Sequence, residues 1–431
     1  MSCRPKNVRA KRSRGSFLKS GICAVSMLLC GFTAAENPPS YVDAQIAGAL
    51  REISAGQIQS DIEKLVSFKT RSTLSAQDAA TIRSGRGIGA AREWIKGEFE
   101  RYSRDCAGCL EVKSDSFIQP VGERIPAPTE LTNIYAVLKG SSSADSKRIV
   151  LVTGHYDSRN GNPLDGSGLA PGANDDASGT AISLECARTL SRLRFPATII
   201  FLTVAGEEEG LYGSKHFADL ARKSGWQIEA VLNNDIVGGD RSPGQDSKRV
   251  RVFSETLPAQ AGEPDIRMIR ALGGENDSPS RTLARYITSA ARLYGLEVTP
   301  ILEFRLDRYL RGGDHISFNQ KGFAAVRFTE FRENFNHQHQ NVRAENGIEY
   351  GDLPKFVDFD YVAGVARLNA AALASLARAP GPPENVKLET RELTNDSTLD
   401  WDPPRRPSCR LRGALAGHKR CGLGEFAACE R

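Results

Sequence analysis

The chain has 431 residues, 40% hydrophobic and 25% charged, an ordinary globular composition with room for two domains or one large one. Its net charge of +5 is local to the N-terminus. Met1–Ser20 carries seven basic side chains and no acid, and without them fifty basic residues face fifty-two acidic ones, a net −2. The basic balance therefore gives no argument for nucleic-acid binding.

In chain order, the basic stretch leads into "GICAVSMLLCGF" and the small residues "TAA". A basic region, a short apolar block and small residues before a cut predict a signal peptide over 1–35, cleaved or retained as an anchor. The predicted location is secreted or periplasmic. The apolar block is shorter than the ~20 residues a membrane span needs, and no later segment reaches that length, so no membrane span is expected after cleavage. Six cysteines then remain. Cys106 and Cys109 in "DCAGC" read as a local disulfide, because no second CxxC exists to complete a four-cysteine zinc site. Cys186 reads as a buried core thiol.

From Tyr41 to Ser103 the apolar spacing is helical, in "DIEKLVSFKT" and "GAAREWIKGEFERYS". Apolar runs at 132–138, 148–154, 197–206 and 228–235 read as strands, with helical patterns at 178–193 and 212–225 between them. Further on, "PSRTLARYITSAARLYG" reads as helix, "VTPILEF" and "FAAVRFTEF" as strands, and "FDYVAGVARLNAAALASLARA" as a closing helix. This alternation predicts an α/β fold: a three-layer αβα domain over 41–380 with a mostly parallel central sheet. "APGPPEN" reads as a linker. The segment to Pro404 resembles the opening strands of a fibronectin type III domain, too short to complete the sandwich. The cysteine-bearing tail 405–431 has no strand pattern and is predicted to be disordered.

Chemistry clusters where the predicted strands end. "RIVLVTG" runs into His155 and Asp157, "ATIIFLTVAG" into Glu207, Glu208 and Glu209, and "IEAVLNN" into Asp235. Ligands in open α/β sheets bind outside the carboxyl ends of the strands, so these side chains should converge on one crevice. Asp175 and Asp176, in "PGANDDASGTA", sit in a loop that opens a helix between the first two strands. Histidine with several carboxylates suits Zn²⁺, and two dications would cancel the repulsion of so many acids. Of the six histidines, His155, His337 and His339 fall in these motifs, and His315 lies nearby in "GGDHISF".

Taken in order, "GHYDS", "PGANDDASG", "GEEEGLYGS", "NNDIVG", "GGDHISF" and "ENFNHQHQN" resemble the co-catalytic zinc exopeptidases typified by bacterial leucyl aminopeptidases. Glutamate carboxypeptidases and glutaminyl cyclases are similar relatives. The resemblance implies two Zn²⁺ per chain and peptide substrates. It implies that His155 binds one zinc, that Asp175 bridges the two, that Glu208 binds one metal and Asp235 the other, and that a histidine of "HQHQN" is the last ligand. Asp157 would orient the His155 ring, and Glu207 would be the general base for a zinc-activated water. In related motifs an acid follows the late ligand by four residues. That count gives Asn341 from His337 and Arg343 from His339, so His337 is the expected ligand and His339 the alternative.

Each piece alone has a plainer reading, as a helix cap, a surface turn or a solvated charge run. Glu209 is expected to be a solvated helix-start residue, His216 to be structural, and His315 to pack or to line a pocket. Arg159–Ala170 is expected to shape the cleft rim. Neighbouring glutamates on an extended segment should point apart, so Glu207 and Glu208 need not compete for one position.

Overall fold

A computed structural model describes residues 42–389 and 398–402. The predicted leader and the tail beyond Pro404, with His418, lie outside the described residues. An eight-stranded sheet forms the centre: β1 (Leu110–Gln119), β2 (Thr129–Leu138), β3 (Arg148–His155), β4 (Thr198–Val204), β5 (Gln227–Asn234), β6 (Arg249–Ser254), β7 (Thr299–Glu303) and β8 (Ala325–Glu330). Their order is β1-β2-β4-β3-β5-β8-β6-β7. Four of the seven pairings are parallel, including β4-β3 and β3-β5.

Both faces of the middle strands are covered. Every residue of β3 and β4 is buried. Val150 and Val152 face a core built with the helices Ala55–Ser67, Gly87–Asp105, Ala177–Leu190, Pro279–Leu293 and Phe359–Arg378. Ile149 and Leu151 face the opposite core with Phe217 and Ala218 of the helix Tyr212–Lys223 and Phe318 of His315–Asn319. Alternate residues of a strand point to opposite faces, so a run apolar at every position is what a strand buried on both sides requires.

The predicted strands and helices are present within a few residues of their expected ends. Two strands of the central sheet were not anticipated. β1 is buried only at Leu110 and otherwise mixes half-buried and exposed positions through a polar run, "LEVKSDSFIQ", along the sheet edge. β6, "RVRVFS", is six residues long. Starting within the last two residues of the predicted linker, Glu384–Leu388 pairs antiparallel with Leu399–Asp402, both strands exposed. Cys106 and Cys109 form a disulfide and Cys186 is a buried free thiol. Among the described residues no helix is long and apolar enough to cross a membrane.

Candidate metal centre

Three adjacent parallel strands deliver the first set of side chains. β3 ends on His155, Asp235 follows β5 directly, and β4 turns at Gly206 (φ +73°) into Glu207. The helix Ala177–Leu190 is pressed onto these strand ends by two glycines. A Cβ on Gly154 would lie 2.4 Å from the Gly179 carbonyl carbon, and a Cβ on Gly179 would lie 2.2 Å from the Asn234 oxygen. Asp176 fixes the junction: its carboxylate accepts from the His155 amide (3.0 Å) and caps the helix at the Gly179 amide (2.9 Å). Asp175 is thereby held over the crevice.

The donors fall into two groups that meet at Asp175. His155, Glu207 and Asp235 form one, and Asp175, Glu208 and His339 the other. His155 Nε2 lies 3.2 Å from Asp175 Oδ1, 3.9 Å from Asp235 Oδ1 and 4.0 Å from Glu207 Oε2. His339 Nε2 lies 2.8 Å from Asp175 Oδ2 and 3.1 Å from Glu208 Oε2. The two oxygens of Asp175 thus face two different imidazoles.

His155 Nε2 and Glu208 Oε1 are buried and have no hydrogen-bond partner among the described residues. Burying such atoms unpartnered is costly, and two dications among histidines and carboxylates would satisfy them. Burial opposes a charge on His155, but Glu207 and the neighbouring aspartates outweigh it and hold the imidazole well above its ordinary range. Burial drives Glu207 well above the usual carboxylate range, with His155 opposing. The residues therefore fit a pair of divalent metals.

Asp157 does more than orient a ring. Its Oδ1 lies 3.4 Å from His155 Nδ1. Its carboxylate also accepts from the amides of Glu207 (3.3 Å) and Glu208 (3.1 Å) and from the Thr73 hydroxyl (3.2 Å). One buried side chain positions donors of both groups.

The structure brings His339, not His337, to the centre. His337 pairs through Nδ1 with Asp240 and stacks on Phe356, with ring centroids 3.6 Å apart. His339 takes a left-handed backbone (φ +52°) that turns its ring inward, and its Nδ1 meets Arg159 Nη2 at 2.6 Å. Its companion thus comes from 180 residues away, which a count of four along the chain does not see.

Glu209 is a second correction. It is buried, and burial with the nearby Asp157 charge pushes its carboxyl well above the usual range. The three glutamates do not lie on an extended segment either. They sit in a tight turn in which the Gly210 and Leu211 amides both donate to the Glu207 carbonyl. That turn sends Glu207 and Glu208 to different groups and Glu209 inward.

His216 is structural, stacked on Phe117 at 4.0 Å and 3.2 Å from Asp115. His315 is buried, with Nε2 2.8 Å from the Leu306 carbonyl, and burial lowers its pKa to about 4. It packs beneath the cleft loop.

A family model, peptidase family M28, matches residues 133–356. A probable zinc metalloprotease of Leptosphaeria maculans is 47% identical over 83% of this chain and 82% of its own length. The chain belongs to peptidase family M28. A Pyricularia oryzae probable zinc metalloprotease is 47% identical over 83% of this M28 chain and 71% of its own. Among solved structures, the LapA aminopeptidase of Legionella pneumophila superposes with a TM-score of 0.54 at 19% identity, over 80% of this chain and 78% of that one. The glutaminyl cyclase of Fimbriiglobus ruber gives 0.53 at 16% identity, over 75% and 95%. Those likenesses establish the shared αβα fold.

Several residues around the M28 centre had no clear signal in the sequence. Asp352, after the hairpin that follows His339, is buried. Its two oxygens accept from the Asn174 (2.8 Å) and Asp175 (2.7 Å) amides. Arg327 is buried, 2.9 Å from Asp235 and 3.1 Å from Asp307. A charged residue inside the apolar run "FAAVRFTEF" was the available hint. Over the centre opens a cleft of about 360 Å³, lined by the donor residues other than His155 and by Arg124, Arg159, Arg308 and Arg311.

Proposed function

We propose that this zinc metallopeptidase is an exported aminopeptidase holding two zinc ions. The observation that carries the reading is Asp175, whose two oxygens address His155 and His339 separately. His155, Asp235 and one Asp175 oxygen would hold one zinc, and Glu208, His339 and the other oxygen the second.

Bound zinc would supply Lewis acidity toward the scissile carbonyl and the attacking water. Glu207, at the edge of the His155 group, takes the proton of that water and returns it to the departing amine. Its buried setting favours the protonated form it must pass through. Asp157 keeps the His155 ring and the turn at Glu207–Glu208 in place. The complete pair of donor groups supports hydrolysis over the one-zinc chemistry expected of a glutaminyl cyclase. A carboxypeptidase on the same scaffold is favoured by one observation: two cleft guanidiniums lack a carboxylate partner among the described residues.

The test is hydrolysis of aminoacyl-nitroanilides with and without a chelator, with zinc counted. Glu207→Gln should retain both zinc ions and lose about 10²–10⁴-fold in kcat. Turnover at the unmutated rate would remove Glu207 from this role.

A further inference from the structure

The four carboxylates lining the cleft are spoken for. Asp175, Glu207, Glu208 and Asp235 belong to the two donor groups, whose acidity two dications would neutralise. The four lining arginines carry fixed positive charge at any working pH. Two of them are committed: Arg159 pairs with Glu208 at 2.9 Å, and Arg308 pairs with Glu333 and with Asp307 at 3.2 Å. The other two are not. Arg124 is half-buried and, among the described residues, donates only to the Glu208 carbonyl (2.8 Å). Arg311 is exposed and lies 5.9 Å from the Phe335 ring centroid. Neither pairs with a carboxylate among the described residues.

The segment bearing Arg311 is anchored from below. Asp307 is clamped by Arg327, and the Leu306 carbonyl meets His315 Nε2 at 2.8 Å. Beside Arg311, Leu310 lines the same cleft and is 87% exposed. An anchored loop thus presents a guanidinium and an apolar side chain over the centre, with Arg124 also on the cleft wall. A guanidinium fork matches a carboxylate in geometry as well as charge.

We infer that the cleft selects peptides bearing a carboxylate within reach of Arg124 and Arg311. The inference rests on the peptidase reading above, whichever end of the peptide is released. The carboxylate can be the free C-terminus of a short peptide or an acidic side chain near the scissile bond.

Matched short peptides distinguish these sources: free acid against C-terminal amide, and Glu against Gln beside the scissile bond in the amidated series. The zinc-loaded enzyme should prefer at least one carboxylate form by about tenfold in kcat/KM, and Arg311→Ala and Arg124→Gln should each bring that ratio toward one. Preference for the free acid alone identifies the C-terminus, and preference for Glu over Gln identifies a side chain. Equal kcat/KM for charged and neutral partners in the unmutated enzyme would overturn the inference and leave the peptidase reading standing. If no peptide is cleaved, the peptidase reading fails, and calorimetric titration of glutarate into the zinc-loaded protein decides the rest. Binding that weakens about tenfold in Arg311→Ala supports carboxylate capture. Equal binding by both proteins, or none, overturns it.

Discussion

The two donor groups are built differently although they share Asp175. His155 and Asp235 stand at the ends of β3 and β5, in the buried centre of the sheet, and Glu207 follows β4 by three residues. The second group depends on loops: Asp175 in the turn before a helix, Glu208 one residue further from the sheet, and His339 more than 180 residues after His155. A strand buried on both faces leaves its terminal residue one place to go. A loop leaves several, and tertiary partners choose among them. The loop-built group should therefore be the more fragile, and the more dependent on residues that never touch a metal.

The largest effect expected from that contrast concerns the two late histidines. His339→Ala removes a donor from the loop-built group and should cost zinc affinity more than the ~10–100-fold typical of an outer-shell change. Half the bound metal should be lost at equilibrium while the His155 group stays filled. His337→Ala removes only the Asp240 pairing and the stack on Phe356, and should keep both metals. Competition against a chelator, with metal counted per chain, measures both. Loss of one zinc from His337→Ala and none from His339→Ala would reverse the assignment.

Asp352 supplies the next contrast, because it acts on the backbone of the loop rather than on a metal. It ties the Asn174 and Asp175 amides to the segment that follows His339, so the loop-built group is closed by one carboxylate. Asp352→Asn keeps the size but places a donor where an acceptor is needed. We expect zinc affinity of the loop-built group to fall by about tenfold, with the strand-built group changed less. Equal weakening of both groups in the same chelator titration would show that Asp352 supports the fold in general and not this loop in particular.

The same division explains what could be read from the residues alone. His155, Glu207 and Asp235 were legible because continuous apolar runs announced β3, β4 and β5, and strand ends converge by topology. Asp175 and Glu208 were legible through motif resemblance. His339 was legible only as the alternative to His337, because its companion Arg159 is remote in sequence and its left-handed backbone has no residue-type signature. Glu209 was misread because a glutamate after a strand is ordinarily solvated, and only the turn closed on the Glu207 carbonyl directs it inward. The edge strand β1 escaped notice because its exposed positions interrupt the apolar pattern. Asp352, Arg124 and Arg311 act through spatial proximity alone.

The smallest predicted effect lies away from the centre and separates burial from function. Asp61, in the helix Ala55–Ser67, is buried like the site carboxylates, but it belongs to neither donor group. Gln57 donates to its Oδ1 at 2.8 Å, and its Oδ2 has no hydrogen-bond partner among the described residues. Burial raises its pKa to about 8, with Glu98 and Glu185 adding to the rise and Gln57 opposing it. The folded chain therefore keeps this proton between about pH 4 and 8, where the unfolded chain has released it. Stability from this residue is full below about pH 4 and is lost as pH rises toward 8. Asp61→Asn retains the acceptor for Gln57 and carries no charge to bury. Its Tm should exceed that of the unmutated protein by a few degrees at pH 8, with the gap shrinking toward pH 5. Zinc content should not change. A gap independent of pH would mean that Asp61 is ionised in the fold. A loss of zinc would tie it to the centre and erase the distinction between a carboxylate that is merely buried and one that is buried for a metal.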